Sequence, residues 1–132
     1  MLQATTGLGT WLSCEQSGPR SGDVPGELQD ELFALCAHYL LSVKRGSEPA
    51  DPVARFHLGN GARLHRLNPS SDLSGAGMSR SLGFTVNYVY EPNSLERNAE
   101  AYGRRHKVRA SAAVVRRARL AAPLMSNRPL VA

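Results

Sequence analysis

Two cysteines, Cys14 and Cys36, are all that this chain of 132 residues carries, and neither belongs to a CxxC pair. That argues against a disulfide framework and against a thiolate zinc site. The four histidines, His38, His57, His65 and His106, show no HExxH or comparable spacing, so no metal site is expected. No GxxxxGKS/T or GxGxxG loop follows a strand-like run, and no GxSxG elbow is present. The common phosphate loops and the hydrolase triad are therefore unsupported. Apolar residues never run on for the roughly 18 positions that a membrane span needs. Neither end carries a recognisable targeting signal, so a cytoplasmic chain with no membrane partner is the expectation. Aromatic residues are scarce at 6%.

What is present is apolar material and positive charge. Hydrophobic residues make up 42% of the chain, which suits a globular domain with its own core. The net charge is +5 and the pI near 9.8. Arg104, Arg105, Lys107, Arg109, Arg116, Arg117, Arg119 and Arg128 gather towards the C-terminus. Such an excess favours an anionic partner: a nucleic acid, an acidic membrane or a phosphorylated cofactor. Few aromatics interleave with these arginines, which weakens the nucleic-acid reading, and a solvated helix face explains them more simply.

The expected division is a poorly ordered, degenerate or non-homologous lead-in over 1–26, a principal domain over 27–122 and a flexible tail over 123–132. The lead-in is rich in Gly and Pro, with Trp11 and Leu12 as its strongest apolar anchor. From Glu27 to Lys44, Leu28, Leu32, Leu35, Cys36, Tyr39, Leu40 and Val43 recur at helical spacing, which makes Cys36 a buried thiol. Lys44, Arg45 and Gly46 suit the end of that helix. Ser47 to Pro52 is expected to be a loop. Val53–Leu58 and Ala62–Leu67 are predicted strands, joined by a tight turn at Gly59-Asn60-Gly61. Asn68 to Gly83 is predicted to be a long loop rich in Ser and Gly. Phe84 to Tyr90 alternates as a strand, with Phe84, Val86, Tyr88 and Tyr90 on one face and Thr85, Asn87 and Val89 on the other. Ser94 is the expected cap of a helix through Tyr102, and Lys107–Leu120 of a second. The order of elements is that of an α+β domain.

Few of these residues point to chemistry on their own. His57 beside a Gly-Asn-Gly turn could exchange a proton near neutral pH, and the glycines would admit a substrate close to the backbone. A satisfied histidine at a hairpin accounts for the same pattern more simply. Tyr88 and Tyr90 could place a phenol at a site, yet strand tyrosines are mostly packing residues. Asn87 could orient a ligand from the opposite face. Ser70, Ser71, Ser74, Ser79 and Ser81 could meet a phosphate or act as nucleophiles, and a solvated loop is the plainer reading.

Taken together, the segments resemble the malonyl-CoA decarboxylase family over about residues 28–120. The likeness begins at Leu35-Cys36-Ala37-His38-Tyr39-Leu40 and runs through Asp51-Pro52-Val53-Ala54-Arg55-Phe56-His57-Leu58-Gly59-Asn60-Gly61-Ala62. It continues at Leu67-Asn68, Asp72, Ser74, Gly77, Ser81 and Gly83, then at Val86-Asn87-Tyr88-Val89-Tyr90 and Asn98-Ala99-Glu100-Ala101-Tyr102. The long ungapped DPVAxFHLxNGA run is its specific part.

The resemblance implies a carboxy-lyase of fatty acid metabolism that turns malonyl-CoA into acetyl-CoA and CO2 without a metal or organic cofactor. It implies a fold like that of the acyl-CoA N-acyltransferases (GNAT-like), here a partial sheet with flanking helices and without its N-terminal part. His57 inherits the family's catalytic histidine, acting on the thioester carbonyl or protonating the enolate. Tyr90 matches the second tyrosine of the family's NYxY and supports the site. Asn60, Gly61 and Asn87 are the expected substrate-binding residues. The family's serine has no counterpart: with Trp11-Leu12 aligned to the family's Trp-Leu, its place falls near Gln3. Pro69 also stands where the family has a tryptophan. A truncated and weakly active or inactive relative follows, folding poorly alone or pairing with a copy of itself or with another polypeptide. The alternative is a non-catalytic module that binds an acyl-CoA or another anionic partner, with nucleic acid a distant third.

Overall fold

The computed structural model describes residues 2–15 and 29–122. In chain order they form β1 (Leu2–Thr5), α1 (Leu8–Glu15), α2 (Gln29–Ser42), β2 (Lys44–Arg45), β3 (Glu48–Pro49), α3 (Pro52–Gly59) and β4 (Arg63–Asn68). Then come α4 (Gly75–Ser81), β5 (Thr85–Val89), α5 (Leu95–Arg105) and α6 (Ala112–Arg119). The expected α+β class holds.

The last strand lies in the middle of the main sheet, in the antiparallel order β1-β5-β4, while β2 and β3 form a small hairpin. Leu2 and Leu64 stand opposite Tyr88, and Ala4 and Leu67 opposite Val86. The two-residue period of β5 therefore divides it as its sequence predicts. Phe84, Val86 and Tyr88 are wholly buried, among Leu8, Cys36, Ala37, Leu40 and Leu58 of the helices. Thr85, Asn87 and Val89 occupy the other face.

Several expectations are overturned, each for an identifiable reason. Val53–Leu58 is part of helix α3. Asp51 is extended and its carboxylate accepts a hydrogen bond from the Ala54 amide at 3.0 Å, while Pro52 takes the first helical position. Ala54, His57 and Leu58 then fall on one buried helical face. Gly59-Asn60-Gly61 accordingly ends a helix and makes no hairpin. Gly61 has φ +92°, and the backbone oxygen of Leu95 occupies the space that a Cβ would need, so only glycine lets α5 approach here.

The predicted loop over Asn68–Gly83 contains α4, because the Ser74 hydroxyl caps it by accepting from the Gly77 amide at 3.0 Å. The helix expected over Lys107–Leu120 begins only at Ala112, capped by Ser111. Residues before it are held extended along β4: Leu64 N donates to Arg109 O at 2.8 Å and Ser111 N to Leu64 O at 2.9 Å. Satisfying the amide edge of β4 outweighs helix propensity there. Ser94 precedes α5 without a side-chain cap bond. α2 ends at Ser42, so Lys44, Arg45 and Gly46 (φ +68°) belong to the β2–β3 hairpin, which also takes up part of the expected loop over Ser47–Pro52.

The largest correction concerns the lead-in over 1–26. Residues 2–15 are ordered into β1 and α1, since β1 fills one side of β5 and Leu8 is wholly buried. Trp11 stacks on Tyr39 with ring centroids 5.2 Å apart. The rest of the lead-in, the start of the predicted α2 and the tail over 123–132 lie outside the described residues. Among those described, no helix is long and apolar enough to cross a membrane.

Candidate active site

α3 turns His57 towards the sheet, where it retains 9% of its surface. Its ring lies on the Tyr88 ring, with centroids 4.4 Å apart and planes 22° from parallel. Its Nδ1 is 2.6 Å from the Tyr90 hydroxyl. Tyr88 and Tyr90 are two positions apart on β5 and its extension, so both reach the same imidazole: one supplies a flat support, the other a polar contact.

Burial sets the charge state of this pair. Removal from water disfavours the imidazolium and holds His57 below its ordinary 6.5. Burial likewise pushes the Tyr90 phenol above its ordinary 10.0. Both groups are neutral at pH 7. The short contact then has two forms. Either the Tyr90 hydroxyl donates to Nδ1 and leaves a proton on Nε2, or Nδ1–H donates to the phenol oxygen and leaves Nε2 as an acceptor. The pair can thus present a neutral donor or a base at the same atom without ionising.

Asp51 holds the scaffold behind it. The carboxylate is wholly buried and accepts three hydrogen bonds: from Gly7 N at 2.7 Å, from the Tyr39 hydroxyl at 2.9 Å and from Ala54 N. One side chain therefore ties the start of α1, the middle of α2 and the cap of α3. A side chain on Gly7 would meet the Tyr39 hydroxyl at 2.7 Å, so glycine permits this convergence. Cys36 is buried as expected, and burial first, then the Asp51 charge, raises its thiol far above the ordinary range. The Tyr88 hydroxyl is buried with no hydrogen-bond partner among the described residues.

Of the residues singled out in the sequence, His57, Tyr88 and Tyr90 come together, and Asn60, Gly61 and Asn87 do not join them. Asn60 caps its own helix, donating from Nδ2 to Phe56 O at 2.7 Å. The Gly61 carbonyl accepts from Asn98 Nδ2 at 3.2 Å, fixing α3 to α5. Asn87 faces the other side of the sheet and accepts from Asn68 Nδ2 at 3.1 Å. Gln3 lies on that side too, donating from Nε2 to Ser71 Oγ at 2.7 Å and to Thr85 Oγ1 at 2.8 Å. Asp51 and the supporting role of Tyr88 escape sequence reasoning. An Asp-Pro pair ahead of an apolar run was the available signal for the first. The second needs the helix to be folded over the strand. Among the described residues no group of three or more His, Cys, Asp or Glu could hold a metal ion.

Fold and site together define an α+β domain in which a helix delivers a neutral imidazole onto two tyrosines of a central strand. The chain belongs to the malonyl-CoA decarboxylase family: residues 13–128 match the model of the malonyl-CoA decarboxylase C-terminal domain. It is similar to the protein of Anser anser anser named "Malonyl-CoA decarboxylase, mitochondrial", with 42% identity over 89 residues, 67% of this chain and 18% of that protein. The rat (Rattus norvegicus) protein of the same name is 37% identical over 103 residues, 78% of this chain and 20% of that protein. The crystal structure of malonyl-CoA decarboxylase from Rhodopseudomonas palustris superposes with a TM-score of 0.77 at 36% identity, covering 86% of this chain and 31% of that one. The chain thus spans about a fifth of the length of these two mitochondrial relatives. The family match begins at residue 13, so the alignment of Trp11-Leu12, which sets Gln3 at the serine position, lies outside it.

Proposed function

We propose that this domain performs the proton chemistry of malonyl-CoA decarboxylation, with His57 and Tyr90 as its catalytic pair. The 2.6 Å contact between Nδ1 and the Tyr90 hydroxyl carries the proposal. When the carboxylate leaves as CO2, its electron pair passes to Cα and is delocalised onto the thioester oxygen. With Tyr90 donating to Nδ1, Nε2–H is a neutral donor for that oxygen, and donors of this kind in a dry site lower the energy of the developing charge. The enolate then takes one proton at Cα, from Nε2–H of His57 with the pair reprotonated by water, and becomes the acetyl thioester. The thioester itself holds the electron pair, so this chemistry draws on no metal or organic cofactor.

Asn60 and Gly61 enter the proposal through the shape of the end of α3, and Asn87 through the opposite face of the sheet. A GNAT-like parent sheet without its early strands is supported by β1, which pairs with β5 alone among the described residues. The same edge supports pairing with a further strand, from a copy of this chain or another polypeptide. For the compartment, the cytoplasmic expectation stands beside the mitochondrial names of the goose and rat proteins, and microscopy of a tagged chain decides between them.

Incubation with malonyl-CoA, following acetyl-CoA, tests the reaction. Turnover that falls in His57→Ala supports it, and turnover that survives the substitution overturns the role of His57. Binding of malonyl-CoA with no turnover in the unaltered chain would replace the lyase reading with that of an acyl-CoA-binding module, which the glutamine at position 3 favours.

A further inference from the structure

A concave site lies beside β4 and includes neither His57 nor Tyr90 in its lining. α6 crosses α2 beside β4, and the three enclose a cavity of about 400 Å3 lined by Phe33, His65, Arg66, Leu67, Val114 and Arg117. That volume is within the range of small-molecule sites. Its walls are of two kinds. Phe33, Leu67 and Val114 supply apolar surface. Arg117 lays its guanidinium over the Phe33 ring, 4.0 Å from the centroid, which fixes the plane of its donors. Its one ion pair among the described residues, with Asp30, is long at 3.8 Å, and Asp30 is 91% exposed, so the charge is little neutralised. Among the described residues Arg66 has no carboxylate partner, and the buried Nδ1 of His65 has no hydrogen-bond partner. Polar capacity left unmet in a cavity wall calls for an explanation.

We propose that this cavity binds a small organic anion, a carboxylate or phosphate head on a flat apolar body. The head meets the guanidinium groups of Arg66 and Arg117, and the body lies against Phe33, Leu67 and Val114. The site shares no residue with the His57–Tyr90 pair, so the inference stands apart from the decarboxylase reading.

Titration calorimetry with phenyl phosphate and with inorganic phosphate tests it. Phenyl phosphate is expected to bind at about 1 mM or below, and inorganic phosphate about tenfold more weakly. Arg117→Gln should weaken phenyl phosphate about tenfold with unchanged circular dichroism. Arg66→Gln, at an exposed position, should weaken it too, and serves if loss of the Phe33 contact disturbs α6. The ring protons of His65 should shift on addition while those of His106 do not. Absence of phenyl phosphate binding at millimolar concentration, equal affinity for the two probes, or wild-type affinity in both folded variants would each overturn the proposal. Competition by malonyl-CoA would overturn the separateness of the two sites.

Discussion

The two faces of β5 use the same backbone for opposite ends. On the inner face, Val86 and Tyr88 are wholly buried and the imidazole of His57 rests on Tyr88. On the outer face, Ser71, Gln3, Thr85, Asn68 and Asn87 form one continuous run of side-chain hydrogen bonds. The outer groups are partly solvated and satisfied by one another, so nothing drives them from their ordinary chemistry. The inner groups are few; His57 is buried and Tyr90 half-buried, and there desolvation shifts both towards neutrality. The titration shifts fall on the inner face, although the outer face holds more polar residues.

That contrast can be broken most severely at Asp51. Asp51→Ala strips partners from the Gly7 and Ala54 amides and the Tyr39 hydroxyl, and is expected to lower stability by about 3 kcal/mol or more in urea denaturation. A loss below 1 kcal/mol would show that α1, α2 and α3 do not depend on it. Next come the two residues of the proposed catalytic pair. His57→Ala should reduce acetyl-CoA formation about 100-fold, and Tyr90→Phe about tenfold, with the fold retained by circular dichroism. On the outer face, Asn87→Ala removes a half-exposed bond and should cost about 0.5–1 kcal/mol. A cost comparable to that of Asp51→Ala would erase the distinction between the faces. The smallest effect is expected at Tyr88→Phe, which removes a buried hydroxyl without a partner and keeps the ring under His57. Its stability should stay within about 1 kcal/mol of the parent chain.

The inner face also predicts a pH dependence. The folded state holds His57 below the 6.5 of the unfolded chain. Above that value both states are neutral and the histidine adds nothing. As pH falls through it, the unfolded chain binds a proton first, so stability declines until the folded-state value is passed. His57→Gln should flatten that part of a stability profile measured from pH 7.5 to 5.

Much of this architecture is legible in the residues. The alternation of β5, the helical periodicity of α2 and the burial of Cys36 follow from spacing that few other structures satisfy. The family, too, is carried by the run from Asp51 to Ala62. Two of the misread segments, Val53–Leu58 and residues 2–15, share one cause: their decisive groups lie outside the segment itself. Val53–Leu58 is short and apolar, and only the Asp51 cap, itself held by Gly7 and Tyr39, makes it a helix. Residues 2–15 open a lead-in over 1–26 whose Gly and Pro argue against order, until β5 offers an edge and Leu8 is buried in the core.

By its sequence alone this protein was determined as an α+β domain of one enzyme family with His57 at its centre, because periodicity and a long ungapped motif are properties of neighbours in the chain. Only the tertiary structure decided that His57 rides on a helix, that it stacks on Tyr88 and meets Tyr90, and that Asn87 does not join it. Those facts depend on which side of a strand a distant helix covers, and that choice is made by burial across the fold rather than by any local run of residues.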